Sequence, residues 1–167
     1  ENDKKRIIKE ILNKKGVEPT NKNVLYFIKR IGMFKNRGIN HEDLDEEISL
    51  DDKNFEQEEL EEGEFAFINP KIKNLRNYVY KKYQERLKET NMLDFDDILL
   101  YTHILFEKNE KLRKEYKERL KFIMVDEAQD INLVQRRILE LLQNENLCLI
   151  GDDCQNIYAW RGTSNEF

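Results

Sequence analysis

Phe122-Ile123-Met124-Val125-Asp126-Glu127-Ala128-Gln129-Asp130 sets a short apolar run directly against an acidic cluster. A continuous apolar run bounded by charge reads as a strand of a parallel sheet, buried on both faces because crossover helices cover both sides of such a sheet. A second run, Leu147-Cys148-Leu149-Ile150, ends at Gly151, and Asn132 to Leu142 between them is helical by pattern, with Leu133, Ile138, Leu141 and Leu142 apolar. Strand, helix and strand in this order predict one right-handed crossover unit. Cys148 is expected to be a small buried residue of the second strand.

In open α/β sheets, ligands bind beyond the carboxyl ends of the strands, where Asp126 and Glu127 emerge. Adjacent acids there suit a division of labour. Asp126 would hold Mg²⁺, directly or through water, and Glu127 would orient and deprotonate an attacking water. The plainer alternative is that the pair begins a helix, where acids favour the positive end of the dipole. Asp130 reads as such a helix-start acid. The second strand leads into Gly151-Asp152-Asp153-Cys154-Gln155-Asn156-Ile157-Tyr158-Ala159-Trp160-Arg161-Gly162. The neutral amide of Gln155 can read a terminal phosphate or its attacking water. Tyr158, Trp160 and Arg161 offer the aromatic faces and cation that stack bases of a single strand; the plainer alternative makes Tyr158 and Trp160 core residues and Arg161 a surface charge. Asp152 reads as a loop-shaping residue.

Upstream of the strand the pattern is helical. Ile7, Ile8, Ile11 and Leu12 share one helical face between Asp3 and Lys15, and Gly16 is a natural left-handed C-cap. Val24, Phe27, Ile28, Ile31 and Phe34 form a second stripe, with Lys22, Lys29, Arg30, Lys35 and Arg37 making the segment locally basic. From Glu42 to Glu64 nearly every charge is acidic and apolar residues are sparse, so residues 41–64 read as a solvated connector. Asn69-Pro70 starts a long basic helix through Ile72, Leu75, Val79 and Leu87 to about Glu89, carrying Lys71, Lys73, Arg76, Lys81, Lys82 and Arg86. Asp94 caps a further helix through Phe95, Ile98, Leu99 and Leu105, and Lys111 to Leu120 is another, highly charged one. The fold class is therefore α/β but predominantly helical. Residues 1–120 form a helical arm and residues 121–167 a small parallel-sheet piece.

Composition narrows the function classes. Of the 167 residues, 38% are charged and 39% hydrophobic, and the net charge of −5 supplies no global basic field for nucleic acid. Any such contact is local. Cys148 and Cys154 are the two cysteines and neither His41 nor His103 stands near them at metal-ligand spacing, which argues against a zinc site or a disulfide framework and for a reducing, cytoplasmic setting. No apolar stretch approaches the ~20 residues of a membrane span. The start at Glu1 without methionine suggests a piece of something longer.

The two motif-bearing stretches together are far more specific than either alone. Val125 to Asp130, a helix, a strand and then Gly151-Asp152, Gln155, Ile157-Tyr158 and Trp160-Arg161-Gly162 resemble motifs II and III of the UvrD/PcrA/Rep group of superfamily 1 DNA helicases. Leu93-Asp94-Phe95-Asp96-Asp97-Ile98-Leu99-Leu100 is similar to a segment those proteins carry before motif II. Ile31 with Lys35-Asn36 matches, more weakly, the start of their helical 1B subdomain. The resemblance implies a partial P-loop NTPase (RecA-like) motor domain 1A over residues 121–167 and a 1B-type subdomain over residues 1–120. It implies ATP and Mg²⁺ as cofactors, single-stranded and duplex DNA as partners, and a parent that couples ATP hydrolysis to translocation and unwinding. Asp126 would be the Mg²⁺-associated carboxylate, Glu127 the general base, and Gln155 the group coupling the γ-phosphate to DNA. Tyr158 and Trp160 would contact bases, with Arg161 assisting.

No Gly-x-x-x-x-Gly-Lys-Ser/Thr occurs, so this segment has no phosphate cradle and is expected not to hydrolyse ATP alone. It ends after Thr163-Ser164, before the second motor domain expected from the family. Three other readings remain: the motor subunit of an AddA-like helicase–nuclease, a helical DNA- or protein-binding module with an inherited ATPase signature, and a two-metal nuclease using Asp126, Glu127, Asp152 and Asp153.

Overall fold

A computed structural model describes residues 2–44, 65 and 68–152. Helices α1 (Asn2–Lys14), α2 (Asn21–Asn36), α3 (Pro70–Lys73), α4 (Arg76–Glu89), α5 (Phe95–Lys108) and α6 (Glu110–Arg119) precede strand β1 (Ile123–Val125), helix α7 (Leu133–Leu142) and strand β2 (Leu147–Leu149). The chain divides into two compact units, residues 1–32 with 40–93 and residues 33–39 with 94–167. None of the described helices is long and apolar enough to cross a membrane.

The first unit is helical. The α1 stripe buries as its spacing predicts: Ile7, Ile8, Ile11 and Leu12 are all within the core, and Gly16 closes the helix in the left-handed region at φ 73°. From α2 come Val24, Phe27 and Ile31, and from α4 Val79 and Leu87. Three tyrosines complete the core, Tyr26, Tyr80 and Tyr83, each at most 1% exposed. A periodicity reading passes over them because a phenol counts as polar, whereas its ring buries a large apolar area once a neighbour takes the edge. Tyr26 packs edge-on against Phe27 and Phe65, with ring centres 5.2 and 5.7 Å apart. Three basic residues of this unit lie on aromatic rings, Arg30 over Tyr26, Lys29 over Phe65 and Lys15 over Tyr78. Of the expected acidic connector, only residues up to Leu44 are described, and His41–Asp43 form a single 3-10 turn capped by Asn40.

The single helix expected from Asn69 to Glu89 is interrupted. Asn69 caps it as expected, its side chain accepting from Lys71 N, but Leu75 N turns to Ile72 O, three residues back, and α3 ends at Lys73. Tightening of that turn lets α4 begin afresh at Arg76. The basic face expected here is also reduced: Arg76 is buried, and Lys82 and Arg86 pair with Glu85 and Glu89.

The second unit holds the sheet. Strands β1 and β2 are parallel, with Ile123 opposite Leu147, Met124 opposite Cys148 and Val125 opposite Leu149. The crossover helix α7 starts at Asn132, whose side chain accepts from Gln135 N while its own N–H donates to the Gln135 side chain. That places the helix start two residues beyond Asp130, which closes a 3-10 turn instead. The strands are not buried on both faces: Phe122 is 80% and Met124 73% exposed, Leu149 and Ile150 are also exposed, and so is Cys148. A parallel strand is buried twice only when both faces are covered. Here α7 packs against α5 and α6. Those two helices therefore belong with the strands in packing, although the change in sequence texture comes later, at Lys121.

The end of α2 joins this unit through polar contacts. Lys35 Nζ lies 2.8 Å from Asp94 Oδ2 and 2.7 Å from Asp97 Oδ1. The remaining oxygens of both acids accept backbone N–H groups in a reciprocal cap on α5, Asp94 Oδ1 from Asp97 N and Asp97 Oδ2 from Asp94 N. Asn36 Oδ1 accepts from Asn132 Nδ2, and the Arg37 carbonyl accepts from Arg137.

Candidate active site

The site lies where the two parallel strands end. Ile150 N donates to Val125 O at 2.8 Å, continuing the ladder past β2, and Ala128 N donates back to Ile150 O at 2.9 Å. These bonds fasten the turn after β1 to the turn after β2. Asp126 is exposed, and its Oδ1 accepts from Glu127 N at 2.9 Å. Among the described residues nothing bonds its second oxygen, which could take a cation or water. One exposed carboxylate suits Mg²⁺, which keeps most of its waters and takes few protein ligands.

Glu127 sits in the left-handed region, at φ 52° and ψ 44°. A side chain with a Cβ pays about 1–2 kcal/mol to stand there, and such conformations cluster where function needs a side chain aimed in one direction. The twist turns the chain into the 3-10 turn Ala128–Asp130 instead of directly into a helix. The pair is thus no helix-start device.

Gln129, to which the sequence reading gave no role, connects the two turns. It is 6% exposed; its Nε2 donates to Glu127 Oε2, and its Oε1 accepts from Asp152 N at 3.0 Å. Amide orientation follows from the partners, since a carboxylate only accepts and a backbone N–H only donates. Gly151 permits this closeness. A Cβ there would lie 2.5 Å from Gln129 Oε1, 3.2 Å from Ala128 N and 3.3 Å from Gln129 N. The signal in the sequence was a lone amide between Ala128 and Asp130 after an acidic pair, legible only once the second strand end lies beside it.

Asp126, Glu127 and the backbone of Gly151-Asp152 are thus brought together. Gln155, Tyr158, Trp160 and Arg161, expected to read phosphate and DNA, lie outside the described residues, as do Asp153 and Cys154.

Comparison with known proteins bears on what this arrangement belongs to. The chain is 42% identical over 96 residues, 56% of its length, to a probable DNA helicase II homolog of Rickettsia conorii. It is 40% identical over 87 residues, 51% of its length, to the ATP-dependent DNA helicase Rep of Buchnera aphidicola subsp. Baizongia pistaciae. Against the ATP-dependent DNA helicase PcrA of Staphylococcus epidermidis the match is 32% over 162 residues, 96% of the chain. These matches span 15%, 13% and 20% of the relatives' own lengths. The profile of the UvrD/REP helicase N-terminal domain matches residues 1–167, and the chain therefore belongs to the UvrD/REP helicase family.

Proposed function

We propose that this chain is part of an ATP-dependent DNA helicase, supplying the Mg²⁺ and water side of its ATPase site together with a helical subdomain. The observation that carries the reading is the placement of Asp126 and Glu127 at the carboxyl end of β1, hydrogen-bonded through the following turn to the end of β2. Asp126 would hold Mg²⁺, which would neutralise charge on the transferring phosphate when bound. Glu127 would take the proton of the attacking water. Gln155 would follow the γ-phosphate, and Tyr158, Trp160 and Arg161 would meet single-stranded DNA. Residues 121–167 belong on this reading to the RecA-like motor domain 1A, and the helical region before them to a 1B-type subdomain whose α5 and α6 pack against the crossover helix α7.

The segment alone is inactive on this reading, because the phosphate-binding loop has no counterpart in its sequence. The test is made in the full-length protein. Wild type should hydrolyse ATP in a DNA-stimulated manner, and Glu127→Gln should lower kcat by about 10²–10⁴-fold while ATP binding persists. Hydrolysis retained in Glu127→Gln would remove Glu127 from its role; a wild-type protein without DNA-stimulated hydrolysis would remove the helicase reading itself.

A further inference from the structure

We propose that Gln129 is a positioning residue of the ATPase reaction, holding the Glu127 carboxylate in register with the backbone at Asp152; this rests on the helicase reading above. The bonds from Gln129 Nε2 to Glu127 Oε2 and from Asp152 N to Gln129 Oε1 use the two ends of a single amide. A rigid planar group therefore spans from the base on one turn to the main chain of the other. At 6% exposure it is shielded from water that could substitute for either partner. The 3-10 turn and the left-handed Glu127 place both side chains on the same side of the turn, which a helix starting at Asp126 would not do. Gly151 completes the arrangement, since a methyl group there would meet Gln129 Oε1 at 2.5 Å.

The consequence is mechanical. Displacement of the backbone at Asp152 pulls on the amide, and the amide pulls on the carboxylate of Glu127. Gln129 touches neither nucleotide nor metal on this scheme. Its effect is on how often Glu127 is correctly aimed.

The experiment is steady-state ATP hydrolysis by the full-length protein, with saturating single-stranded DNA, in three forms: wild type, Gln129→Glu and Gly151→Ala. Gln129→Glu is nearly isosteric and keeps the acceptor for Asp152 N, but sets a carboxylate against Glu127. Gly151→Ala alters no functional group and crowds the Gln129 amide together with the backbone N–H groups of Ala128 and Gln129. Both should lower kcat by about 10–100-fold, the scale of loss when a catalytic group is slightly misplaced, with KM for ATP, DNA affinity and melting temperature near wild type. A kcat within about twofold of wild type in Gln129→Glu overturns the proposal, and so does a parallel change in kcat, KM and melting temperature, which marks a structural role only. Absence of DNA-stimulated hydrolysis in wild type removes the helicase reading and this inference with it; active wild type with unaffected variants removes this inference alone.

Discussion

Lys35 Nζ and Asp97 Oδ1 are 2.7 Å apart, and neither side chain exposes any surface. A lysine that reads in the sequence as part of a locally basic segment is thus an internal tie between the end of α2 and the first turn of α5. Asp94 completes the set, with 17% of its side chain exposed. Removing the cation would leave two acids facing each other, a case that typically costs about 3–5 kcal/mol. Lys35→Met should therefore lower the unfolding free energy by that amount in urea titrations followed by far-UV circular dichroism. Lys82→Met, which breaks an exposed pair with Glu85, should cost under about 1 kcal/mol. Equal effects from the two would contradict the internal role of Lys35.

Gly16 and Gly38 both adopt positive φ, 73° and 76°, but in different surroundings. A Cβ at Gly16 would meet nothing within 4 Å, whereas at Gly38 it would lie 2.9 Å from Arg137 Nη1. Gly16→Ala should cost about 1–2 kcal/mol through backbone strain alone. Gly38→Ala carries the same strain and also displaces the guanidinium that donates to the Arg37 carbonyl, adding roughly 1 kcal/mol. Denaturant midpoints in the same buffer compare them; a smaller loss at Gly38 would show that Arg137 shifts freely.

His103 is 6% exposed, and among the described residues its Nδ1 has no hydrogen-bond partner. Burial holds its pKa below the ordinary 6.5; Glu107 opposes that shift and Arg137 reinforces it. The unfolded chain then binds a proton that the folded one resists, so stability falls as pH drops below 6.5 toward the folded-state value. Unfolding free energies at roughly pH 7.5 and 5.5 should differ less in His103→Gln than in wild type. An unchanged pH slope in the variant would assign that slope to other groups.

Glu127 stores strain where chemistry is expected. Glu127→Gly would relieve the left-handed backbone, offset in part by the greater freedom of glycine when unfolded, for a net gain of up to about 1 kcal/mol. Hydrolysis by the full-length protein should nevertheless be lost. Thermal melts read the first effect and ATPase assays the second. A variant destabilised by more than about 1 kcal/mol would mean that the Gln129 contact outweighs the strain.

How much of this was legible beforehand depends on how local the physics is. Helix α1, the caps at Asn69 and Asp94, the glycine end at Gly16 and the strand–helix–strand order all follow from periodicity and from side chains bonding their own backbone within a few residues. Asp126 and Glu127 were visible for the same reason, because strand ends announce themselves in the pattern. The break at Asn74-Leu75, the buried Tyr26, Tyr80 and Tyr83, and the exposed faces of β1 and β2 were not, since each depends on what another element covers or leaves open. Lys35 and Gln129 make the division plain. Their partners Asp97 and Asp152 lie 62 and 23 residues further along, and a sequence carries no measure of which distant charge or backbone N–H will arrive. Local chemistry determined where the helices begin and where the acids emerge; packing alone decided which lysine is internal and which amide joins the two strand ends.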